Sequence, residues 1–330
     1  MTGNPIVPTV DFDEDGVQHG FLRLPWSRDE SAWGNLMIPI AVMRNGSGPT
    51  ALLTGANHGD EYEGPIALAD LALTLSSDEL CGRIVVVPFM NYPAFRAARR
   101  LSPIDGRNLN RLFPGRPDGT ITEKIADFFQ RTLLPMADFV LDFHSGGRTL
   151  DFLPFAACHV LADKAHEARC IAARDAFSAP YSMAMLEIDA TGMYDTSAEA
   201  LGKVFVTTEL GGGGTASART TAIAKRGVRN FLKHAGIVPG EIERSPSVGL
   251  QMPGADCFTF SESEGLVESF IDLGEDVRSG DLLMRIYPID RLGQKPDEYR
   301  AQIDGILVAR HFPGLVGTGD CLAVVAVRQS

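Results

Sequence analysis

The stretch TALLTGANHGDEYEGPIALADLALTL, residues 50–75, decides how this chain reads. An apolar run over 50–56 stops at a polar turn, and from residue 62 apolar side chains return at helical spacing. A buried strand, a polar loop at its end and a following helix make the repeating unit of a parallel sheet. The same alternation recurs on either side. Apolar runs at 36–43 (LMIPIAVM), 83–90 (RIVVVPFM), 137–144 (ADFVLDFH), 153–160 (LPFAACHV) and 203–210 (KVFVTTEL) read as strands. Between and after them, 62–75, 122–134, 164–177 and 216–234 carry helical patterns. The expectation is an α/β fold: a mostly parallel or mixed sheet with helices on both faces, over residues 1–243.

Beyond residue 243 the texture changes to short strands punctuated by glycine, which predicts a small all-β domain over 244–330. Gly265, Gly274 and Gly280-Asp281 are echoed by Gly305, Gly314 and Gly319-Asp320, an internal repeat of two hairpin units. The pattern resembles the barrel-sandwich fold of biotinyl and lipoyl carrier domains. Those domains carry a lysine on an exposed hairpin, and Lys295, within GQKPDE, lacks the flanking residues such a lysine needs. A carrier role is not supported.

With 42 acidic against 30 basic residues the formal charge is -12, which argues against nucleic acid or an anionic membrane as partner. Apolar residues make up 45% and charged residues 22%, the balance of a globular protein. No uninterrupted apolar run approaches the roughly 20 residues of a membrane-spanning helix. The first residues, MTGNPIVPTVDFDEDG, have neither a basic start nor an apolar core, so the expected location is cytoplasmic. The five cysteines, Cys81, Cys158, Cys170, Cys257 and Cys321, are scattered and read as reduced thiols. A homo-oligomer is compatible with the chain but not specified by it.

Within the opening stretch, His58 and Glu61 stand three residues apart where a loop turns into a helix, so an imidazole and a carboxylate can aim at one point. Alone, they read more simply as a surface pair with Glu61 at the positive end of a helix. His144 ends a second apolar strand, in LDFHSGG, at the sheet edge where open α/β folds bind ligands. Two histidines and a carboxylate leave one tetrahedral position open, the arrangement of a catalytic zinc, although ligand type alone does not exclude another divalent metal. Asp142, two residues before His144, is a candidate acceptor for an imidazole N–H or else a carboxylate tied to backbone amides. Glu209 ends a third strand in VTTELGGGG, placed to move protons at a metal-activated water or to be a solvated turn residue. Five arginines fall between Arg96 and Arg111 in FRAARRLSPIDGRNLNRLFPG, a segment suited to a substrate carboxylate and a polarised amide carbonyl.

In this order, HGDE, NLNR, DFH and TELGG resemble the succinylglutamate desuccinylase/aspartoacylase family, a branch of the zinc-carboxypeptidase-like fold, over roughly residues 34–234. The resemblance implies one zinc ion per chain on His58, Glu61 and His144, with Glu209 as general base. It implies Asn110 and Arg111 as holders of the substrate's α-carboxylate. An upstream arginine should stabilise the oxyanion; Arg100 is the choice, with Arg99 and Arg107 as rivals. SPIDGRNLNR, DATGMYDTSAEA and GKVFVTTELGGGG look closest to the bacterial ectoine-degradation branch, whose members remove acetate from Nα-acetyl-L-2,4-diaminobutyrate. Residues 183–199 hold Glu187, Asp189, Asp195 and Glu199 with no Lys or Arg. If this segment lines the pocket it favours a cationic side chain; otherwise it is a solvated acidic face. Succinylglutamate desuccinylase, aspartoacylase and carboxypeptidase activities are the alternatives, with a non-catalytic metal-dependent binding protein as the reading of another class.

Overall fold

The computed structural model describes residues 3–186 and 189–329. Four parallel strands form its centre: Gly82–Val87, Thr50–Gly55, Phe139–His144 and Val204–Glu209, side by side in that order. Because both faces of a parallel sheet are covered, the middle of each strand carries consecutive apolar residues that serve opposite cores. Leu53, Val86, Leu141 and Val206 face one core; Leu52, Val85, Val140 and Phe205 face the other. Helices Glu63–Thr74, Lys164–Phe177 and Ala218–His234 close the first core through Leu68, Cys170 and Phe231. Residues 121–136 and the helix Tyr194–Ala200 close the second through Ile125, Phe129 and Tyr194.

The sheet continues in antiparallel strands on one side, through Asn35–Asn45 and Gly16–Pro25. On the other side Phe155–His159 runs antiparallel to Val204–Glu209, and Tyr181–Met185 and Val248–Gln251 follow. There the C-terminal strands Cys321–Arg328 and Gly305–His311 join, so one sheet runs from the parallel centre into the C-terminal residues. A second sheet holds Asp297–Arg300, Leu282–Tyr287, Gly265–Ser269 and Leu315–Val316. The two glycine-punctuated copies interlock: Asp276–Val277 pairs with Gly305–His311 and Leu315–Val316 with Gly265–Ser269, and Leu283, Ile286, Leu307 and Val325 share their core.

Where the sequence suggested one helix over 122–134, the structure has Ile121–Phe128, a π-turn at Phe129–Leu133 and a last turn at Leu134–Met136. Thr120 and Glu123 cap its start by exchanging side-chain and backbone hydrogen bonds. Pro135 offers no N–H to the carbonyl one turn back, and the helix widens just before it. Two short elements carried no decisive pattern in the sequence: the strand Tyr181–Met185 and the helix Tyr194–Ala200.

Candidate metal centre and active-site cavity

Register brings three strand ends together. Gly55 pairs with Phe143, and Glu209 pairs with His144, so the loops leaving the central strands emerge at one edge. The first loop is held tightly. Ala56 adopts a left-handed conformation (φ 51°), which costs an L-residue about 1–2 kcal/mol. The backbone N–H groups of Met90 and Asn91 donate to Gly55 and Ala56 carbonyls at 2.9 Å and fix this bend. Gly64 opens the following helix against the strand; a Cβ there would lie 2.1 Å from the Phe143 Cβ. That close approach seats the helix following Glu61 on the strand that ends in His144.

His58 and His144 both turn Nδ1 to the Glu61 carboxylate, at 2.8 Å from Oε1 and 3.0 Å from Oε2 respectively. Among the described residues these three form the only group of His, Cys, Asp or Glu donors close enough to share a metal ion, all within 4.8 Å. Each imidazole is held from behind. His58 Nε2 lies 3.2 Å from Asn108 Oδ1, and His144 Nε2 lies 2.8 Å from Asp142 Oδ2. Asp142, itself buried, also accepts from Thr54 Oγ1 (2.6 Å) and Asn57 Nδ2 (3.2 Å). Imidazoles oriented through their outer nitrogens, inner nitrogens converging on a carboxylate, are what a divalent cation requires.

The electrostatics agree. Burial, and then the neighbouring Arg100 guanidinium, bring His58 down to about 4, leaving its lone pair free of a proton at neutral pH. Burial would raise the Glu61 carboxyl, but the two imidazoles hold it well below the usual range. Burial would also lower His144, yet Asp142 and Glu61 push it well above its ordinary value. The site therefore draws one positive charge between its donors, and a bound cation would take the place of the His144 proton.

This cluster opens into a cavity of about 150 Å³. His58, Arg100, Asn110 and Arg111 line one part of it. His144, Thr207 and Glu209 line the sheet side, and Met185, Met193 and Asp195 the remainder. Larger depressions elsewhere, of about 510 Å³ beside Tyr62 and Phe95 and about 490 Å³ beside Trp26 and Tyr92, contain none of the metal-site donors.

Residues 47–235 match the family model of the succinylglutamate desuccinylase/aspartoacylase catalytic domain. The chain belongs to this family. It is 55% identical over 325 residues, 98% of its length and 95% of the relative's, to N-alpha-acetyl-L-2,4-diaminobutyric acid deacetylase of Halomonas elongata. It is also similar to the product-bound ectoine utilization protein of Ruegeria pomeroyi, with 64% identity, TM-score 0.98, and coverage of 99% of this chain and 100% of that one. A succinylglutamate desuccinylase from a Silicibacter species superposes with TM-score 0.97 at 62% identity, with 100% of both chains covered. The chain is accordingly an amide-hydrolysing enzyme of the desuccinylase/aspartoacylase family.

Of the residues singled out in the sequence, His58, Glu61 and His144 come together in the structure, and Asp142 reaches the outer nitrogen of His144. Of the three rival arginines, Arg100 lines the cavity, its Nη1 3.6 Å from Glu61 Oε1; Arg99 and Arg107 are not among the lining residues. Asn110 is anchored because its Oδ1 accepts the Tyr194 N–H at 2.9 Å, which leaves its amide nitrogen as the donor suited to a ligand. Arg111 sits on the same 3₁₀ turn, its Nη1 donating to the Asn110 carbonyl.

The glycines after Glu209 allow close packing of the chain. A Cβ at Gly212 would meet the Leu150 carbonyl at 1.9 Å, and one at Gly213 would meet the Phe312 ring at 2.5 Å. They let the chain pack flat against the strand Leu150–Phe152 and against Phe312 from the C-terminal residues. Sequence reasoning did not single out Asn108, Asn57 and Thr54, which steady the ligands from outside. Asn108 and Asn57 stand beside recognised motifs, in NLNR and ahead of HGDE. Thr54 carries no local signal, since a threonine in an apolar strand is commonplace.

Proposed function

We propose that this enzyme hydrolyses Nα-acetyl-L-2,4-diaminobutyrate to acetate and 2,4-diaminobutyrate with one zinc ion held by His58, Glu61 and His144. The carrying observation is that two histidines of a three-donor cluster, His58 and His144, share one small cavity with Glu209, two arginines and Asp195. Likeness over nearly the whole chain to a deacetylase of that substrate supports the choice.

Bound zinc would supply Lewis acidity to the acyl carbonyl and to the attacking water. Glu209, in register beside His144, takes a proton from that water as its oxygen joins the acetyl carbon. Arg100 donates to the oxygen on which negative charge develops, a contribution typically worth about 3–4 kcal/mol per well-placed donor. As the C–N bond breaks, Glu209 returns the proton to the departing amine. Asn110 and Arg111 hold the α-carboxylate and so fix the amide against the metal site. Residues 1–243 then form the catalytic unit. Residues 244–330 brace the glycine turn after Glu209 through Phe312 rather than acting as a carrier. The five free cysteines suit a reducing cytoplasm.

Acetate release from Nα-acetyl-2,4-diaminobutyrate, measured beside N-acetylaspartate and N-succinylglutamate, tests the reading. Preference for N-succinylglutamate, the substrate class named for the Silicibacter structure, would replace it.

A further inference from the structure

We propose that Asp195 selects substrates with a cationic side chain by binding their distal ammonium, and that His159 is the positioning residue that aims it. This rests on the deacylase reading above and adds to it the group that decides which amino acid is accepted.

The acids of residues 183–199 separate by position. Asp195 is 6% exposed and lines the cavity that contains Glu209, Asn110 and Arg111. Asp189 is exposed and folds back on the Thr191 N–H at 3.0 Å. Glu199 lines a separate depression, next to His159. Glu187 lies outside the described residues. Within this segment Asp195 is therefore the described carboxylate that a bound amino acid would meet.

Its placement is rigid. Tyr194 is fully buried, its ring 5.0 Å from that of Phe113 and 5.7 Å from that of Phe205. The Tyr194 N–H is the donor held by Asn110 Oδ1. The residue proposed for the α-carboxylate is thus bonded to the residue preceding Asp195, which fixes the spacing between the two recognition groups. Asp195 Oδ1 accepts from the Thr196 N–H at 2.5 Å and from Thr196 Oγ1 at 3.2 Å. Its Oδ2 faces His159 Nε2 at 3.9 Å. His159 Nδ1 in turn lies 3.0 Å from both oxygens of Glu199. Glu199 thus orients the ring, Thr196 holds Oδ1, and the imidazole stands as the neighbour towards which Oδ2 points.

A carboxylate in such a small cavity discriminates in both directions. An ammonium gains a charge-assisted hydrogen bond, whereas the carboxylate of an aspartyl or glutamyl side chain meets a like charge. An uncharged side chain of equal length gains neither and leaves the carboxylate desolvated.

The test compares kcat/KM of the zinc-loaded enzyme on Nα-acetyl-2,4-diaminobutyrate, N-acetylnorvaline and N-acetylaspartate. Norvaline replaces the ammonium with a methyl at equal length. The wild type should favour the cationic compound over N-acetylnorvaline on the order of 100-fold or more. Asp195→Asn should lose most of that ratio, with a far smaller drop on N-acetylnorvaline. His159→Ala should raise KM for the cationic compound alone, and His159→Gln should recover part of the loss. A wild type that cleaves both acetyl compounds equally overturns the proposal and leaves the deacylase reading standing. Equal losses on both in Asp195→Asn assign that residue a structural role only. A zinc-loaded wild type that cleaves no acetyl amino acid overturns both readings.

Discussion

Asp142→Asn is the most informative single change, because it alters charge and hydrogen bonding at nearly constant volume. The wild-type carboxylate accepts three donors: Thr54 Oγ1 on Oδ1, and Asn57 Nδ2 and His144 Nε2 on Oδ2. An asparagine has one oxygen to offer. If that oxygen stays with His144, the new NH₂ faces the Thr54 hydroxyl, which can rotate to accept and still has the Leu141 carbonyl at 3.4 Å. The bond to His144 then changes from charge-assisted to neutral. Since charged bonds contribute about 1.5–3 kcal/mol and neutral ones about 0.5–1.5, the loss is roughly 1–1.5 kcal/mol. Loss of a partner behind a metal ligand costs about 10–100-fold in affinity, or about 1.4–2.8 kcal/mol, so the two estimates overlap near tenfold.

Zinc affinity should therefore fall about tenfold, measured by competition against a chromophoric chelator, with circular dichroism showing that the variant stays folded. Asp142 also helps raise the proton affinity of His144, so its neutralisation weakens Nδ1 as a donor in the same direction. Affinity equal to wild type in a folded variant would refute the idea that this carboxylate orients the ligand. Complete loss of zinc from a folded protein would refute it differently, because Asp142 would then have to be a ligand itself.

Three further outcomes follow from the structure. Glu209→Gln should reduce turnover about 10²–10⁴-fold while zinc content by elemental analysis stays near one per chain; loss of the metal would make Glu209 a ligand instead. Gly64→Ala should destabilise in urea by about 1–2 kcal/mol. The gain of about 1 kcal/mol in helix propensity is outweighed by forcing a Cβ against the Phe143 Cβ, and unchanged stability would show that this helix start is not seated tightly. Alkylation of the native protein at pH 8, read by mass spectrometry, should label exposed Cys81 first. Burial pushes the Cys158 thiol up to about 12 and that of Cys321 up to about 11, so neither holds appreciable thiolate at that pH; early labelling of Cys158 would contradict the packing around it.

How much of this could be read from the chain alone depends on whether the signal was local. The parallel centre was legible because a doubly covered strand carries neighbouring apolar residues rather than an alternation, and Leu52-Leu53, Val85-Val86 and Val140-Leu141 show that directly. The candidate metal donors were legible because His144 ends such a strand while His58 and Glu61 lie in the short loop between another and its helix, and register then carries Glu209 to His144. What stayed hidden depends on contacts distant in sequence. Tyr194–Ala200 is a seven-residue helix whose stability comes from burying Tyr194 among Phe113, Phe129 and Phe205, so no periodicity announces it. For the same reason the acidic segment could be read either as a wall of the pocket or as a solvated face. The structure separates the two: the helix turns Asp195 into the cavity and Glu199 towards His159 outside it. The placement of Asp195, proposed to select the amino acid, thus depends on tertiary packing of aromatic residues, while the residues proposed for the hydrolytic chemistry lie at or just beyond strand ends that the sequence displays openly.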